Sequence, residues 1–404
     1  MQRPWPPFPW VCFSMCVGVM GTALASPLYP IYQQLWHLKP SDITGIYVVY
    51  MAGVLASLLV LGPLTSRCGY LPILRGGIVL VTGGIVLSTV AWNVAAFVTS
   101  RLAIGLASGM ISTSAPIGLA QLSARGDPKR TAAITTMTMT IGFGFGPLVG
   151  GLIAQWAPAP LVSAYLPTLF MGLLSIYALH RIETPPRPAP AQEGGIGRNA
   201  FARWLPRFTL PPRAHSRPFW IVCLGSFCAF GMFSLYASLA PSFMQQIVPW
   251  HGPAVSGLSI AAILFLSSTF QLLARRLPTR TCAIGGMCAL VVCNLLLILT
   301  TYVGAASLFA LCVLTTSLGH GLANVTGMSL VTKVAGRGGR AGLLSSYLSV
   351  GYLGTILPIL AVGWLSDRLG LSTAIVIFCA VMALMLAALA WAARNTPPVL
   401  VPAE

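Results

Sequence analysis

Twelve long apolar runs constrain this chain more than any other feature of its sequence. They cover residues 11–32, 43–64, 73–91, 94–122, 132–155 and 161–179, and then 219–247, 255–274, 281–300, 305–330, 342–364 and 371–393. A helix of about 20 predominantly apolar residues crosses the hydrocarbon core of a bilayer. It also satisfies its backbone hydrogen bonds internally, as lipid requires. The sequence therefore predicts an all-α integral membrane protein with twelve transmembrane helices.

The overall composition indicates the same class of protein. Hydrophobic residues make up 56% of the 404 positions and charged residues only 7%, which is more apolar surface than a soluble domain can bury. The ten cysteines are scattered, with no C-x-x-C pair among them. We interpret them as small apolar residues, and we predict no metal site and no cofactor.

The chain is predicted to consist of two similar halves joined by a linker. Residues 181–217 are rich in Pro and Arg and lack apolar periodicity, as is typical of a flexible linker. They separate a six-helix bundle at 1–180 from a second one at 218–404. Four residue pairs recur at an offset of 211 or 212 positions: Pro30 and Pro241, Gly45 and Gly257, Gly142 and Gly354, Gly151 and Gly363. This recurrence indicates two six-helix pseudo-repeats.

The distribution of basic residues predicts the orientation in the membrane. If the N-terminus is cytoplasmic, 20 of the 23 Lys and Arg residues fall in cytoplasmic segments, and only Lys39, Arg101 and Arg368 lie toward the outside. This bias is the positive-inside rule. The net charge of +17 therefore reflects topology and contact with lipid headgroups, and no nucleic-acid partner is expected. We expect a monomeric, multi-pass protein of a bacterial-type inner membrane with both termini in the cytoplasm.

The fifth apolar run contains an unusual concentration of glycine. Gly142, Gly146, Gly150 and Gly151 fall on one side of a helix that also contains Pro147. A helix face without side chains lets a neighbouring helix approach backbone to backbone. Pro147 removes a backbone donor and tends to bend the helix. Glycine-mediated packing, as found in many polytopic proteins, would also explain this pattern.

The pattern G-x-x-x-G-P-x-x-G-G at 142–151 resembles the antiporter motif in the fifth span of major facilitator drug:proton antiporters. Twelve spans in two repeats are also similar to the major facilitator fold. The loop after the second span resembles the family's G-x-L-A-D-R-x-G motif at Gly62, Arg67 and Gly69, but Ser66 replaces the acidic residue. In the family that acid helps to lock a cytoplasmic gate. A serine offers only a neutral hydrogen bond, about half as strong as a charge-assisted one, so we expect this gate to be held differently. A basic turn that only fixes topology is the alternative.

Arg101 begins a second family-like pattern, R-x-x-x-G, in the fourth span. Gly105, Ser108 and Ser112 lie on the same helical stripe as Arg101. An arginine inside a span costs about 2.5–3.5 kcal/mol on insertion scales, so a partner or a role in transport is expected. The alternative is that Arg101 extends along the helix to reach the outer interface.

The end of the eleventh run, residues 363–370, contains a fuller version of the gate motif, with Asp367 and Arg368 in place. The predicted topology puts this segment outside the membrane. We therefore interpret it as a structural turn whose Asp–Arg pair could cap the outer end of the bundle.

His320 is the one histidine placed well inside a predicted span, and Thr316, Asn324 and Gly327 lie on its helix face. Histidine titrates near neutral pH, so His320 could couple transport to protons, contact the substrate, or simply pack. With no carboxylate nearby, we expect it to be neutral until water reaches it. The other candidate substrate residues are hydroxyl-bearing side chains within the spans: Tyr29, Tyr32, Ser112 and Thr138.

The acidic residues limit the class of substrate. All six lie in predicted loops or at span edges: Asp42, Asp127, Glu183, Glu193, Asp367 and Glu404. Because no carboxylate is embedded in a span, a strongly cationic substrate is not expected. A neutral or anionic molecule fits Arg101 better.

These features together predict a secondary-active transporter, not an enzyme, that exports a small organic molecule by alternating access. The export direction depends only on the resemblance to the antiporter motif. An importer of a neutral or anionic metabolite is the alternative. A membrane-embedded transferase is a different class, and no carboxylate pair or His–acid constellation in the spans supports it.

We predict that a single cysteine near Gly194, in the linker, reacts with a membrane-impermeant thiol reagent only from the cytoplasmic side. One near Trp250 should react only from outside, because a single span separates the two positions. Labelling of intact cells and inside-out vesicles measures both. Reaction of both cysteines from the same side would overturn the six-plus-six arrangement.

Overall fold

A computed structural model describes residues 6–60, 68–123, 128–183, 209–247, 252–334 and 340–396, and their regular structure is entirely helical. Besides a short 3₁₀ helix at Ser26–Leu28, the α-helices are Pro7–Ala23, Tyr29–Leu35, Pro40–Val60, Tyr70–Thr89, Val94–Leu122, Pro128–Trp156, Pro160–Ser163, Leu166–Arg181, Arg213–Ser238, Ala240–Ile247, Pro253–Ala274, Thr279–Val303, Ala306–Val334, Arg340–Leu369 and Leu371–Arg394. Within the described residues, twelve helical segments are long and apolar enough to cross a membrane. The predicted all-α fold with twelve spans is confirmed.

The first and seventh apolar runs are each broken into two helices. The first run changes helix at the short 3₁₀ segment before Tyr29–Leu35, and the seventh changes at Leu239, before Ala240–Ile247. Pro30 and Pro241 are the second residues of these later helices. Proline lacks an amide hydrogen and suits the first turn of a helix, so each proline helps to fix where the new helix begins. The two prolines correspond at an offset of 211 positions, but the helix breaks were not predicted from the sequence.

Contacts between Cα atoms divide the chain into two compact units. The first comprises Met1–Leu28 and Val49–Pro206, and the second comprises Tyr29–Val48 and Arg207–Glu404. The segment from Tyr29 to Val48 therefore groups with the second unit, whereas the predicted boundaries at 180 and 218 assign it to the first. Those boundaries remain a prediction, since most of the linker lies outside the described residues.

Three helix pairs recur in both units. In the first unit the first span packs on the fifth, and the third packs on the fourth and sixth. In the second unit the seventh span packs on the eleventh, and the ninth packs on the tenth and twelfth. Adding six to each span number converts one set of pairs into the other, which is the relation expected of two six-helix repeats.

Two glycines form matching corners before the third and twelfth spans. Gly69 has φ 84° and ψ 163°, and Gly370 has φ 84° and ψ 153°. This backbone region is essentially accessible only to glycine. Gly62 and Arg67 lie outside the described residues, so for the gate-like loop the structure describes only its final glycine corner.

We predict that Gly69→Ala and Gly370→Ala each lower the free energy of unfolding by about 1–3 kcal/mol, because a side chain is strained at this φ and ψ. Gly45→Ala is the matched control, since Gly45 lies inside a helix with nothing within 4 Å of an added Cβ. Thermal unfolding in detergent measures all three variants. Unchanged melting temperatures for both corner variants would contradict the argument.

Candidate functional site

The glycine-rich face of the fifth span packs directly on the backbone of the first span. A Cβ added at Gly142 would lie 2.5 Å from the carbonyl oxygen of Cys16, and one at Gly150 would lie 3.0 Å from that of Leu24. A Cβ at Gly146 would overlap the carbonyl oxygen of Met20. The two helices therefore touch at every fourth residue along each helix. We call this contact the glycine seam.

The remaining members of the predicted motif also lie inside the first unit. Pro147 and Gly151 are buried, and the helix Pro128–Trp156 continues through the proline. The second unit repeats the contact, because a Cβ at Gly354 would overlap the carbonyl oxygen of Phe227. This glycine is the partner of Gly142 in the sequence repeat, so the shared offset corresponds to a shared helix contact.

Arg101 is only 1% exposed, so it does not extend to an interface as the alternative interpretation supposed. Its Nη2 donates a hydrogen bond to the carbonyl oxygen of Thr22 at 3.2 Å. Its guanidinium carbon lies 4.5 Å from the centroid of the Tyr50 ring, a cation–π contact. Thr22 lies in the last turn of Pro7–Ala23, where carbonyl groups have no intrahelical donor and a cation is favourable. The expected partner of Arg101 is therefore the end of a broken helix together with an aromatic ring.

Gly105 explains how the Tyr50 ring comes close to Arg101. A Cβ at Gly105 would overlap the carbonyl oxygen of Tyr50, so the second and fourth spans meet backbone to backbone. Gly53 makes the reverse approach, since a Cβ there would lie 3.0 Å from the carbonyl oxygen of Leu102. The R-x-x-x-G pattern thus combines a cation with the glycine that brings its ring partner near. Ser112, one turn further on the same stripe as Ser108, is half-buried.

His320 lies at the centre of a polar cluster in the second unit. Its Nδ1 is 2.9 Å from Oγ of Ser267 and 3.3 Å from Nδ2 of Asn324. Nε2 of Gln271 donates to Oγ of Ser267 at 3.4 Å. With Nδ2 of Asn324 as the donor, Nδ1 is the unprotonated nitrogen of the ring. Asn324, one of the residues predicted to share a helix face with His320, thus contacts its ring.

Aromatic rings surround the imidazole of His320. The ring centroids of Phe230 and Phe233 lie 5.5 Å and 5.7 Å from it, and Tyr352 lies 6.2 Å from Phe230. His320 is 8% exposed, whereas these three rings, Gln271 and Asn324 are only half-buried. We call these residues and Ser267 the His320 cluster. It combines apolar rings with a few hydrogen-bonding groups, as small-molecule sites do.

Two residues of the predicted polar stripe do not join this cluster. Oγ1 of Thr316 lies 2.8 Å from Sγ of Cys293 and donates to the carbonyl oxygen of Cys312, also at 2.8 Å. The ring of Tyr347 covers Gly327. The three residues predicted to share a helix face with His320 therefore have different neighbours. Of these three, only Asn324 contacts His320.

The remaining candidates are hydroxyl-bearing side chains, two in the second unit and one in the first. Tyr29 and Tyr32 are fully buried at the start of the second helix of the first span, where Tyr32 stacks on Trp36 at 5.0 Å. Thr138 is half-buried and hydrogen-bonds the thiol of Cys12 across the glycine seam.

In the motif at 363–370, the side chains of Asp367 and Arg368 have separate partners. Oδ1 of Asp367 accepts a hydrogen bond from the backbone N–H of Ser41 at 3.2 Å, in the first turn of Pro40–Val60. The guanidinium carbon of Arg368 lies 3.8 Å from the centroid of the Trp364 ring. A carboxylate at a helix N-terminus satisfies a backbone donor and interacts favourably with the helix dipole.

Sequence reasoning missed Ser267, Gln271 and the aromatic rings of the His320 cluster. Ser267 and Gln271 are four residues apart in the eighth span, so their spacing already placed them on one helix face. That polar pair in an otherwise apolar span was the available signal. The aromatic rings gave no such signal, because phenylalanine in a span usually faces lipid or the core of the helix bundle.

The family model of the Major Facilitator Superfamily matches residues 11–357, which is most of the chain. The protein therefore belongs to the major facilitator superfamily and is a multi-pass membrane transporter of that type.

Solved structures with the same fold include a bacterial homologue of the human lysosomal transporter Spinster, inward-facing and unoccupied, with TM-score 0.75, 13% identity and 98% of both chains covered. The human organic anion transporter MFSD10 matches with TM-score 0.66 and 18% identity over 96% of this chain and all of that one. At these identities the likeness shows the fold alone. The 4-hydroxybenzoate transporter PcaK of Pseudomonas putida is 23% identical over 188 residues, which are 44% of this chain and 41% of PcaK. The match thus spans less than half of that relative.

We predict that Gly146→Ala and Gly354→Ala each impair folding or transport, because a Cβ would overlap a backbone carbonyl that cannot rotate away. Overpacking of this kind typically costs about 1–3 kcal/mol. Gly83→Ala is the control in the first unit, since nothing lies within 4 Å of its added Cβ. Expression level, thermal unfolding and substrate flux measure the effect. Wild-type stability and flux in both seam variants would rule out these close helix contacts.

Proposed function

We propose that the protein is a secondary-active transporter that exports a small neutral or anionic organic molecule by alternating access. The observation that carries the proposal is the His320 cluster, a nearly buried imidazole with partly exposed amide and aromatic neighbours. Rings provide apolar contact area, and a few placed polar groups fix orientation, which is the usual chemistry of a small-molecule site.

The charges of the described residues support a substrate that is not cationic. The described carboxylates are Asp42, Glu183 and Asp367, all at or beyond helix ends. Transporting a cation through a span interior generally needs a negative partner there, because an unpaired charge in the membrane is costly. Arg101 is the cation buried in the first unit, and it favours neutral or anionic molecules.

Import of an aromatic acid is the second candidate, and a specific observation favours it. PcaK, which matches part of this chain, is named for a small aromatic acid that carries a hydroxyl group. The paired rings of Phe230 and Phe233 could stack on such a molecule, and Gln271 and Asn324 could hydrogen-bond its polar groups. The export direction depends on the resemblance of the glycine seam to the antiporter motif.

One experiment distinguishes the two directions. Accumulation of a panel of radiolabelled aromatic and aliphatic acids and neutral drugs should be compared in a deletion strain with and without the restored gene. Export predicts higher accumulation in the deletion strain, and import predicts lower accumulation. Equal accumulation of every compound in the two strains would exclude both export and import of the compounds tested.

We propose that His320 couples transport to protons through its Nδ1. The donor contact from Asn324 requires an unprotonated Nδ1, so protonation there would force the amide to turn. Asn324 is half-buried at the rim of the cluster, where it could also contact the substrate. A proton on the ring would thereby change the group offered to the substrate, which is the link that coupling needs.

We predict that His320→Gln abolishes transport driven by a pH gradient but preserves exchange of substrate, because glutamine hydrogen-bonds without titrating. His180→Gln is the matched control, since His180 is exposed near the end of the sixth span. Flux in proteoliposomes with and without a pH gradient measures both activities. If the His320 variant still concentrates substrate in response to the gradient, His320 is not the coupling group.

Several less specific expectations also stay proposals. We propose an inner-membrane location with cytoplasmic termini, a monomer, and membership of the drug:proton antiporter-like branch. The positive-inside bias supports the first, and the antiporter-like seam supports the last.

A further inference from the structure

A cavity of about 190 Å³ lies at one end of the second unit, away from the His320 cluster. It is formed where the seventh and ninth spans begin and where the tenth and twelfth spans end. Its walls are mainly apolar, including Ile221, Val222 and Leu330, while Arg280 and Lys333 contribute positive charge. Neither the proposed transport site nor the glycine seam uses this cavity.

The two cations of the cavity are held in place by neighbouring groups. Nζ of Lys333 donates to Oγ1 of Thr279 at 2.9 Å, and Nη2 of Arg280 donates to the carbonyl oxygen of Arg394. A guanidinium has five N–H donors and an ammonium has three, so these contacts use a minority of the donors. Both side chains are exposed and could bind a further acceptor.

The described residues offer no carboxylate at this end of the second unit. Its described acids are Asp42, in the first turn of the second span, and Asp367, in the last turn of the eleventh. Because successive spans alternate in direction, both lie at the end opposite to Arg280 and Lys333. An anion from outside the described chain would complement the two cations.

The surroundings of the cavity are those of a lipid interface. Trp220, Leu277 and Trp391 are exposed apolar side chains beside the residues that line it. Exposed apolar residues of a membrane protein face lipid, and tryptophan is enriched at headgroup level. Basic pockets between spans on the cytoplasmic side are suited to anionic headgroups.

We propose that this cavity binds one anionic phospholipid. Arg280 and Lys333 contact its phosphate, with the hydroxyl of Thr279 between them, and the apolar wall accepts the upper part of an acyl chain. The site anchors the starts of the seventh and ninth spans to the ends of the tenth and twelfth. A lipid bound there would stabilise the second unit without taking part in substrate binding.

Native mass spectrometry of the delipidated full-length protein tests this proposal. Phosphatidylglycerol is titrated against phosphatidylcholine, and retained lipid adducts are counted. Arg280→Gln with Lys333→Gln should weaken phosphatidylglycerol binding about 30-fold, since each hydrogen bond made directly to the phosphate contributes about fivefold. Arg275→Gln with Arg276→Gln is the matched control, because these exposed residues carry the same charge but do not line the cavity.

Each outcome of this experiment decides for or against the site. Selective loss in the cavity variant, with the control pair within about twofold of the wild type, supports it. Equal loss in both double variants would indicate diffuse attraction and overturn it, as would equal binding of the two lipids. Displacement by millimolar glycerol phosphate would show that a soluble anion suffices and would overturn the lipid assignment. The readout is binding, so it is independent of whether the proposed transport direction is correct.

Discussion

Backbone amides and carbonyls in a bilayer must find partners within the protein, and this requirement explains the most specific contact of the first unit. A continuous helix meets the requirement by itself. The first span does not remain continuous, because its helix ends at Ala23. The carbonyl oxygens of the last turn then lack amide donors, and Nη2 of Arg101 supplies one to Thr22. A costly buried cation and a buried helix end whose carbonyl groups lack intrahelical donors thus compensate each other. Neither would be stable in lipid alone.

Close backbone contact is the second constraint, and it appears in both units at corresponding positions. Gly142 and Gly354 each allow a neighbouring carbonyl to approach where a side chain would collide. Water-driven burial contributes little between helices in lipid, so packing of this kind holds the bundle together. Gly105 shows a further consequence, because the close approach it permits also brings Tyr50 under Arg101. Packing glycines therefore position side chains as well as helices.

Much of the fold could be predicted from the sequence, but less of the site. The spans follow from apolar length, and the glycine pairs follow from spacing, since both are one-dimensional patterns. The helix break before Tyr29 could not be predicted in this way, because Pro30 inside an apolar run is compatible with either a kinked helix or the start of a new one. Asn324 lies four residues from His320 on one helix, so the spacing alone puts both on one face. Ser267 comes from another span, and contacts between spans are not encoded by periodicity.

The polar groups of the spans also differ in how far they are available to a ligand. Many hydroxyls are bonded within their own helix, as Ser234 is to the carbonyl of Phe230 and Thr135 is to that of Thr131. Such groups are satisfied without a ligand and serve packing. The amides of Gln271 and Asn324 have two donors and an acceptor each, more than their contacts with Ser267 and His320 use. Hydrogen-bonding capacity that exceeds the local contacts is what a passing substrate can use. This is why the His320 cluster, rather than the more numerous hydroxyls, is the stronger candidate for substrate binding.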